Sequence, residues 1–336
     1  MDRFKPTPAL LAGFQPTGDG RLHLGNLLGS ALPFAHARGF GSKFAMIADA
    51  HALSLGRVPE GFRAAKARMA RELFAAGAGD EASLFEQSRV PELLALCALL
   101  APFAQLGELR RASHYEEKLA QSEGEPLALL AYPCLMSADI LGLSAMEVAV
   151  GEDQRQHLEI ARSISARFRE RSGVDLGQPR SAEIPCAMRA ARVKALRDPA
   201  KKMSKSDPSG ASTLYAVDSR GEISRKLRKA VTDSMPLPAP GEPLDEAERP
   251  GAANLLGIVA ACEGVSKEAA LSRVAGLGHG ALKEMAVEAV DALLAPIRLR
   301  FEGLGDAECA AALARGAEAA RERAAAAYER ARGALG

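Results

Sequence analysis

Tryptophan is absent from the 336 residues, and no two cysteines stand at Cys-x-x-Cys spacing. The five cysteines (Cys97, Cys134, Cys186, Cys262 and Cys309) are scattered along the chain. That argues against a zinc knot and a disulfide framework, and fits a reducing, cytoplasmic setting. A long hydrophobic run is also missing: the longest apolar stretch, near Leu93 to Leu106, carries Pro102 and is too short to span a bilayer. The opening MDRFKPTPALLAGFQP has neither an h-region nor a cleavage site, so no signal peptide is expected. Nor does one sign of charge dominate, with 43 basic residues against 42 acidic and a net charge of +1. Bulk electrostatics therefore exclude nothing about nucleic acid, and any such surface must be a local patch. Disorder is excluded by 48% apolar and 25% charged residues.

Short apolar runs and amphipathic stretches alternate through the first half, the pattern of a parallel sheet wrapped by helices. Strands are expected at 8–14, 43–47, 83–85 and 146–150. Helices are expected at about 24–38, 59–76, 91–119, 126–141 and 152–171. Residues 177–210, rich in Pro, Arg, Lys and Ser, read as irregular connection. From about Gly221 the pattern is helical, broken at 235–249 and 276–280, and it ends in an Ala/Glu/Arg helix over 306–335. An α/β domain followed by a helical domain is the organisation this predicts, as the length also suggests.

Two segments carry chemistry. In FQPTGDGRLHLGNLLGS, residues 14–30, a strand ends, a Gly- and Pro-rich turn follows, and a helix opens at His23-Leu24-Gly25-Asn26. Helix N-termini present free N–H groups and a positive dipole end, which suit phosphate. A glycine in the opening turn lets a ligand approach the backbone. About 180 residues further on, Lys201-Lys202-Met203-Ser204-Lys205-Ser206-Asp207 offers cations and hydroxyls in a loop. Such a loop suits a polyphosphate whose charge grows in a transition state. Either segment alone is also compatible with an ordinary turn or a solvated basic loop.

Together, an HxGN helix opening and a KMSKS loop resemble the two signatures of the class I aminoacyl-tRNA synthetases. From about Gly13 to Gly333 the chain is similar to the bacterial-type tryptophanyl-tRNA synthetase family. The likeness runs through IADAHAL (47–53), QSRVP (87–91), GEL (107–109), YPCLMSADIL (132–141) and VGEDQRQHLE (150–159). It extends through AVTDS (230–234) and RPGAANLL (249–256) into the helical half.

The resemblance implies a Rossmann-like parallel-sheet catalytic domain over 1–210, with a helical insertion at about 91–143 and the KMSKS loop at 201–207. An all-helical domain over 211–336 would meet tRNA on its anticodon side. It also implies roles for particular residues. Gln15, Pro16, Thr17, His23, Gly25 and Asn26 match the first ATP-binding segment. Gly151, Glu152 and Asp153 match the segment that holds the ribose, and Val193 a position whose backbone meets adenine. Lys202, Met203, Ser204, Lys205 and Ser206 match the loop over the phosphates, with Lys202, Ser204 and Lys205 catalytic. Asp139 matches the acceptor of the indole N–H and Met136 the side chain packed on the ring, with Gln15, His51 and Tyr132 in the same pocket. Read without the family, His51 is a buried, hydrogen-bonded histidine, His157 is structural and Lys118 is a solvated helix lysine. Asp139, on an otherwise apolar helix, needs a donor whichever reading holds.

Expected substrates are ATP, L-tryptophan and tRNA, with Mg2+ travelling on the phosphates and no dedicated metal ligands. A homodimer in the cytoplasm, without membrane, is implied. The chain departs from the family pattern at Leu27, Ala149, Lys194 and Leu143, and the usual His after Val90-Pro91 is missing, with Leu93 and Leu94 nearby. Tyrosyl-tRNA synthetases are the nearest alternative, but that family has HxGH and a Gln where Met136 stands. A weakly catalytic, tryptophan-binding paralogue is the other. Arg225, Lys226, Arg228 and Lys229 stand at helix spacing and read either as a solvated face or as contacts for tRNA phosphates.

Overall fold

The computed structural model describes residues 9–112, 115–120, 122, 124–149, 154–182, 184, 193–205 and 210–334. Five parallel strands form one sheet: β1 (Ala9–Phe14), β2 (Ser42–Ile47), β3 (Ser83–Glu86), β4 (Glu147–Val148) and β5 (Arg180–Ser181). Their order is β3-β2-β1-β4-β5. β1 is apolar throughout because both its faces are covered. Successive side chains alternate, so Leu10, Ala12 and Phe14 join Ala45, Ile47 and Leu84 in one core. Ala9 and Leu11 join Phe44, Met46 and Phe85 in the other. The strand order reverses between β1 and β4, and open α/β sheets bind ligands at that switch point. There Gly13 is the one exposed position of β1.

After β1 a helix opens at Leu24–Asn26, widens into a π turn over Leu27–Ala31 and continues as Leu32–His36. Phe62–Ala75 follows β2. Between β3 and β4 lie Pro91–Leu100, Leu106–Arg110, Tyr115–Leu119 and Leu127–Gly142. The helical sequence read over 91–119 is thus divided, first by a 3-10 turn at Ala101–Phe103 that contains Pro102, a residue that cannot continue the α-helical ladder. The long helix after β4 is Arg155–Ser172. The stretch read as irregular connection contains β5, a strand of two residues.

Arg220–Arg228, Pro250–Glu263, Lys267–Ser272 and His279–Gly303 make up the later helical run. Leu255, Val259, Leu282 and Val290 from this run share the core of Leu10 and Phe14, so the helical half is built onto one face of the sheet. The terminal helix Asp306–Gly333 returns to the other face, where Ala317, Ala320 and Ala324 pack with Phe85. A Cβ on Gly316 would sit 2.0 Å from the Leu84 carbonyl oxygen. In space the last helix therefore belongs with the sheet, beside β3. Among the described residues no helix is long and apolar enough to cross a membrane.

Candidate active site

Residues 15–26 leave the carboxyl end of β1 and are fixed on several sides. Gly20 takes φ +82°, and a Cβ there would lie 2.0 Å from the Ala65 carbonyl oxygen, so the turn presses directly on helix Phe62–Ala75. The Leu22 amide donates to Glu72 Oε2 at 2.6 Å, and Arg68 Nε donates to Glu72 Oε1 at 3.0 Å. His23 caps the following helix: its Nδ1 accepts the Asn26 amide at 3.2 Å, while Asn26 Oδ1 accepts the His23 amide at 3.3 Å. An accepting Nδ1 places the proton of the neutral ring on Nε2. Leu22 to Leu24 are bonded to Leu214 to Ala216, beyond the KMSKS segment, through Leu24 N to Leu214 O and Ala216 N to Leu22 O, both 2.8 Å.

The KMSKS segment folds back on the residues before it. Met203 N donates to Val193 O at 3.0 Å and Ala195 N to Lys201 O at 2.9 Å, with Lys194 and Lys202 paired antiparallel. From helix Pro250–Glu263, Asn254 closes both sides of the Lys194 peptide, accepting from its N–H at 2.9 Å and donating to its carbonyl at 3.2 Å. Met203 is buried, and Lys202 and Ser204 are exposed. Gly25 faces the residue that pairs with the KMSKS segment: a Cβ there would stand 3.0 Å from His23 Cε1 and 3.8 Å from the Cβ of Val193, whose carbonyl accepts from Met203 N. Lys205 Nζ donates to the Thr17 carbonyl at 3.2 Å. Gly151, Glu152, Asp153 and Ser206 lie outside the described residues.

On the other side of the switch point, helix Leu127–Gly142 turns Tyr132, Met136 and Asp139 to one face by their i, i+4, i+7 spacing. Asp139 has no solvent exposure. Its carboxylate accepts from His51 Nε2 at 2.9 Å and, on both oxygens, from Gln87 Nε2 at 2.8 Å. His51 also lies against the Tyr132 ring, centroids 4.2 Å apart, and its carbonyl accepts from Gln15 Nε2 at 3.3 Å. A continuous contact path therefore runs from Asp139 through His51 and Gln15 to the turn that Lys205 reaches. Met136 is half-buried beside the second core.

Several expectations change here. Lys118 is not solvated: its Nζ lies 3.8 Å from the centre of the Tyr132 ring, and burial pushes its pKa down. His157, expected to be structural, keeps that reading: it is buried with its ring 5.7 Å from that of Tyr132. The basic cluster of the helical half is not one face, since Lys226 turns inward to Asp218 Oδ2 at 2.5 Å and Arg228 pairs with Glu284 at 2.8 Å. Arg225 and Lys229 stay exposed. Cys97 and Cys134, 37 positions apart in sequence, are neighbours in space. Gln87 and Asn254 were legible only as members of sequence blocks, with no role, and Gly13 carried the one available signal, a glycine inside a strand.

The charges respond to this packing. Burial first, then Lys205 and Lys202, bring the His23 imidazole down to about 4, so it is neutral near pH 7. Burial lowers Lys205 to about 8; Asp19 and Glu72 oppose that fall and Arg21 adds to it. Burial raises the Asp139 carboxyl, against the hydrogen bonds from His51 and Gln87. Beside it Lys66 binds Asp49 at 2.8 Å and Glu86 at 3.0 Å. Burial would lower this lysine, but the two carboxylates prevail and raise it. Loop cations and a helix opening, which suit a polyphosphate, are thus joined through Gln15 and His51 to a buried carboxylate, which suits a single donor.

The family model for class I tRNA synthetases (W and Y) matches residues 5–295. A tryptophan–tRNA ligase of Caulobacter vibrioides is 41% identical over 95% of this chain and 92% of its own length. One from Rhizobium meliloti is 36% identical over 96% of each. Among solved structures, tryptophanyl-tRNA synthetase from Mycoplasma pneumoniae superposes with a TM-score of 0.83 at 27% identity, covering 98% of both chains. The Campylobacter jejuni enzyme complexed with ADP and tryptophan gives 0.77 at 28% identity, covering 96% of this chain and 97% of that one. With both signatures present and a family match spanning most of its length, the chain belongs to the class I tRNA synthetases of the tryptophan and tyrosine group.

Proposed function

We propose that this protein activates L-tryptophan with ATP, forming tryptophanyl-adenylate and pyrophosphate, and then transfers tryptophan to the 3′ end of its cognate tRNA. The observation that carries the reading is Asp139, a carboxylate without solvent, three residues from Met136 on the same helix face. An indole is a flat apolar ring with one N–H donor. Met136 suits the ring, and a buried carboxylate suits the donor. The tryptophan-named relatives, and the Campylobacter enzyme with ADP and tryptophan bound, support the same choice.

In this reading the tryptophan carboxylate attacks the α-phosphorus in line and pyrophosphate leaves. No side chain serves as a covalent nucleophile. Catalysis comes from positioning and from charge stabilisation by Lys202, Lys205 and the helix opening at His23 to Asn26, with Ser204 as a hydroxyl donor. The Nε2 proton of neutral His23 is available to a phosphate oxygen, Val193 offers its backbone to adenine, and Gly151, Glu152 and Asp153 hold the ribose. Gln15, Pro16, Thr17, Gly25, Asn26, Met203 and Ser206 complete the ATP side, and His51 and Tyr132 the amino-acid side. Magnesium belongs here as the counter-ion of the phosphates. The reading includes a cytoplasmic homodimer, for which exposed Leu94, Leu106 and Leu127 on the insertion supply apolar surface, and tRNA contact through the helical half. Amino-acid-dependent exchange of pyrophosphate into ATP tests it. Exchange with tryptophan and not with tyrosine is expected; exchange with tyrosine alone, or with neither, overturns the assignment.

A further inference from the structure

Cys97 and Cys134 lie on facing helices of the insertion, Pro91–Leu100 and Leu127–Gly142. The Cys134 thiol donates to the Cys97 carbonyl oxygen at 3.7 Å, which sets this thiol against Cys97 across the contact between the two helices. Cys134 is buried, and Cys97 is half-buried. The two helices meet tightly: a Cβ on Gly142 would stand 2.6 Å from Leu93 Cδ2 and 3.2 Å from Leu96 Cδ2. A disulfide here needs the two sulfurs to close to the ~2.05 Å of an S–S bond. Neither sulfur has a part in the reaction proposed above. The position of one of them does matter, because Cys134 sits between Tyr132 and Met136 on the helix that carries Asp139.

We propose that Cys97 and Cys134 form a reversible redox pair, in which hydrogen peroxide closes a disulfide between the two helices and holds back the amino-acid site. Its effect on activity rests on the tryptophan reading; its chemistry does not. The contact with Cys97 pulls the Cys134 thiol below its ordinary range, while that same contact, together with burial, pushes the Cys97 thiol up. The Cys134 thiolate attacks one peroxide oxygen, so an S–O bond forms, the O–O bond breaks, and hydroxide leaves to take up a proton. The Cys97 thiol then attacks the sulfenic sulfur; the S–S bond forms, the S–O bond breaks, and water leaves with the Cys97 proton. Two thiols have lost two electrons and two protons, and one peroxide has become two waters. Drawing Cys134 toward Cys97 displaces Tyr132, Met136 and Asp139 together. A misplacement of about 1 Å can reduce a rate on the order of 100-fold.

The test treats the full-length protein with hydrogen peroxide, then reads peptide masses without reduction and tryptophan-dependent pyrophosphate exchange in parallel. The expected result is a linked peptide pair containing Cys97 and Cys134, a fall of roughly tenfold or more in kcat/KM for tryptophan, and recovery of both with dithiothreitol. Cys97→Ser should exchange normally before treatment and keep that activity afterwards, with Cys134→Ala as a second, disulfide-free control. Unlinked peptides in the treated wild type overturn the proposal, as does equal inactivation of Cys97→Ser. A linked pair with unchanged kcat/KM overturns the proposed hold on the site. An untreated enzyme that exchanges only with tyrosine strikes the functional reading instead, and the peptide masses then still decide whether the pair forms.

Discussion

Lys205 donates to the Thr17 carbonyl from a partly buried position, and its proton is held only to about pH 8. A loop cation that must meet phosphate loses its use as it deprotonates. The pH dependence of kcat/KM reports the free enzyme, so kcat/KM for ATP is expected to fall above about pH 8 with a single ionisation. Lys205→Arg should move that fall out of range, since arginine keeps its charge; an unchanged alkaline limb would assign the ionisation elsewhere. Asp139 leads to a different expectation. Asparagine has the same shape, but its amide N–H would face the donors of His51 and Gln87, and the Gln87 oxygen is already in use, accepting from the His51 amide at 3.3 Å. Asp139→Asn should therefore cost about 1–3 kcal/mol of stability as well as lowering tryptophan activation, measured by melting and by exchange. Wild-type behaviour in both would remove Asp139 from its role. That this carboxylate needed a donor was legible in the sequence, because it stands on an apolar helix. Which donors it has was not, since Gln87 and His51 are 52 and 88 positions away and arrive through the sheet.

The elements were most legible where a pattern was long. β1, β2 and the helices Phe62–Ala75 and Leu127–Gly142 fall within a few residues of their expected places. β5, with two residues, gives a period-2 pattern nothing to act on. The π turn at Leu27–Ala31 leaves no mark in a helical periodicity either. The terminal helix shows another limit: its Ala/Glu/Arg pattern announces a helix but not its partner. Gly316 is the clue, because only a residue without a side chain lets that helix approach Leu84 so closely. Gly316→Ala should lower stability by roughly 1–3 kcal/mol through forced displacement of the helix. Gly221→Ala, on a helix where a Cβ meets nothing within 4 Å, should be neutral or stabilising by up to ~1 kcal/mol. Equal melting shifts in the two variants would mean that the contact with β3 is not what Gly316 serves.

For the whole molecule, the α/β class and the helical second half followed from alternation and from its loss after about residue 177. What alternation cannot reveal is that one core is shared: Leu10 and Phe14 of the sheet pack with Val259 and Val290 of the later helices. Both halves should accordingly unfold in one transition, and calorimetry should show a single peak with matching van't Hoff and calorimetric enthalpies. Two resolved peaks would make the halves independent. The Gly20 turn carries this unity into the cleft. With the backbone of Gly20 against Ala65 and the Leu22 amide on Glu72, the wall that follows β1 moves only if helix Phe62–Ala75 moves. Among the described residues, Lys205 by contrast meets this turn through one hydrogen bond, to the Thr17 carbonyl. The cleft is thus a vice with one fixed jaw, so under the proposed function nucleotide analogues enlarged toward residues 17–22 should be shut out, whereas those enlarged toward Lys205 should still be gripped.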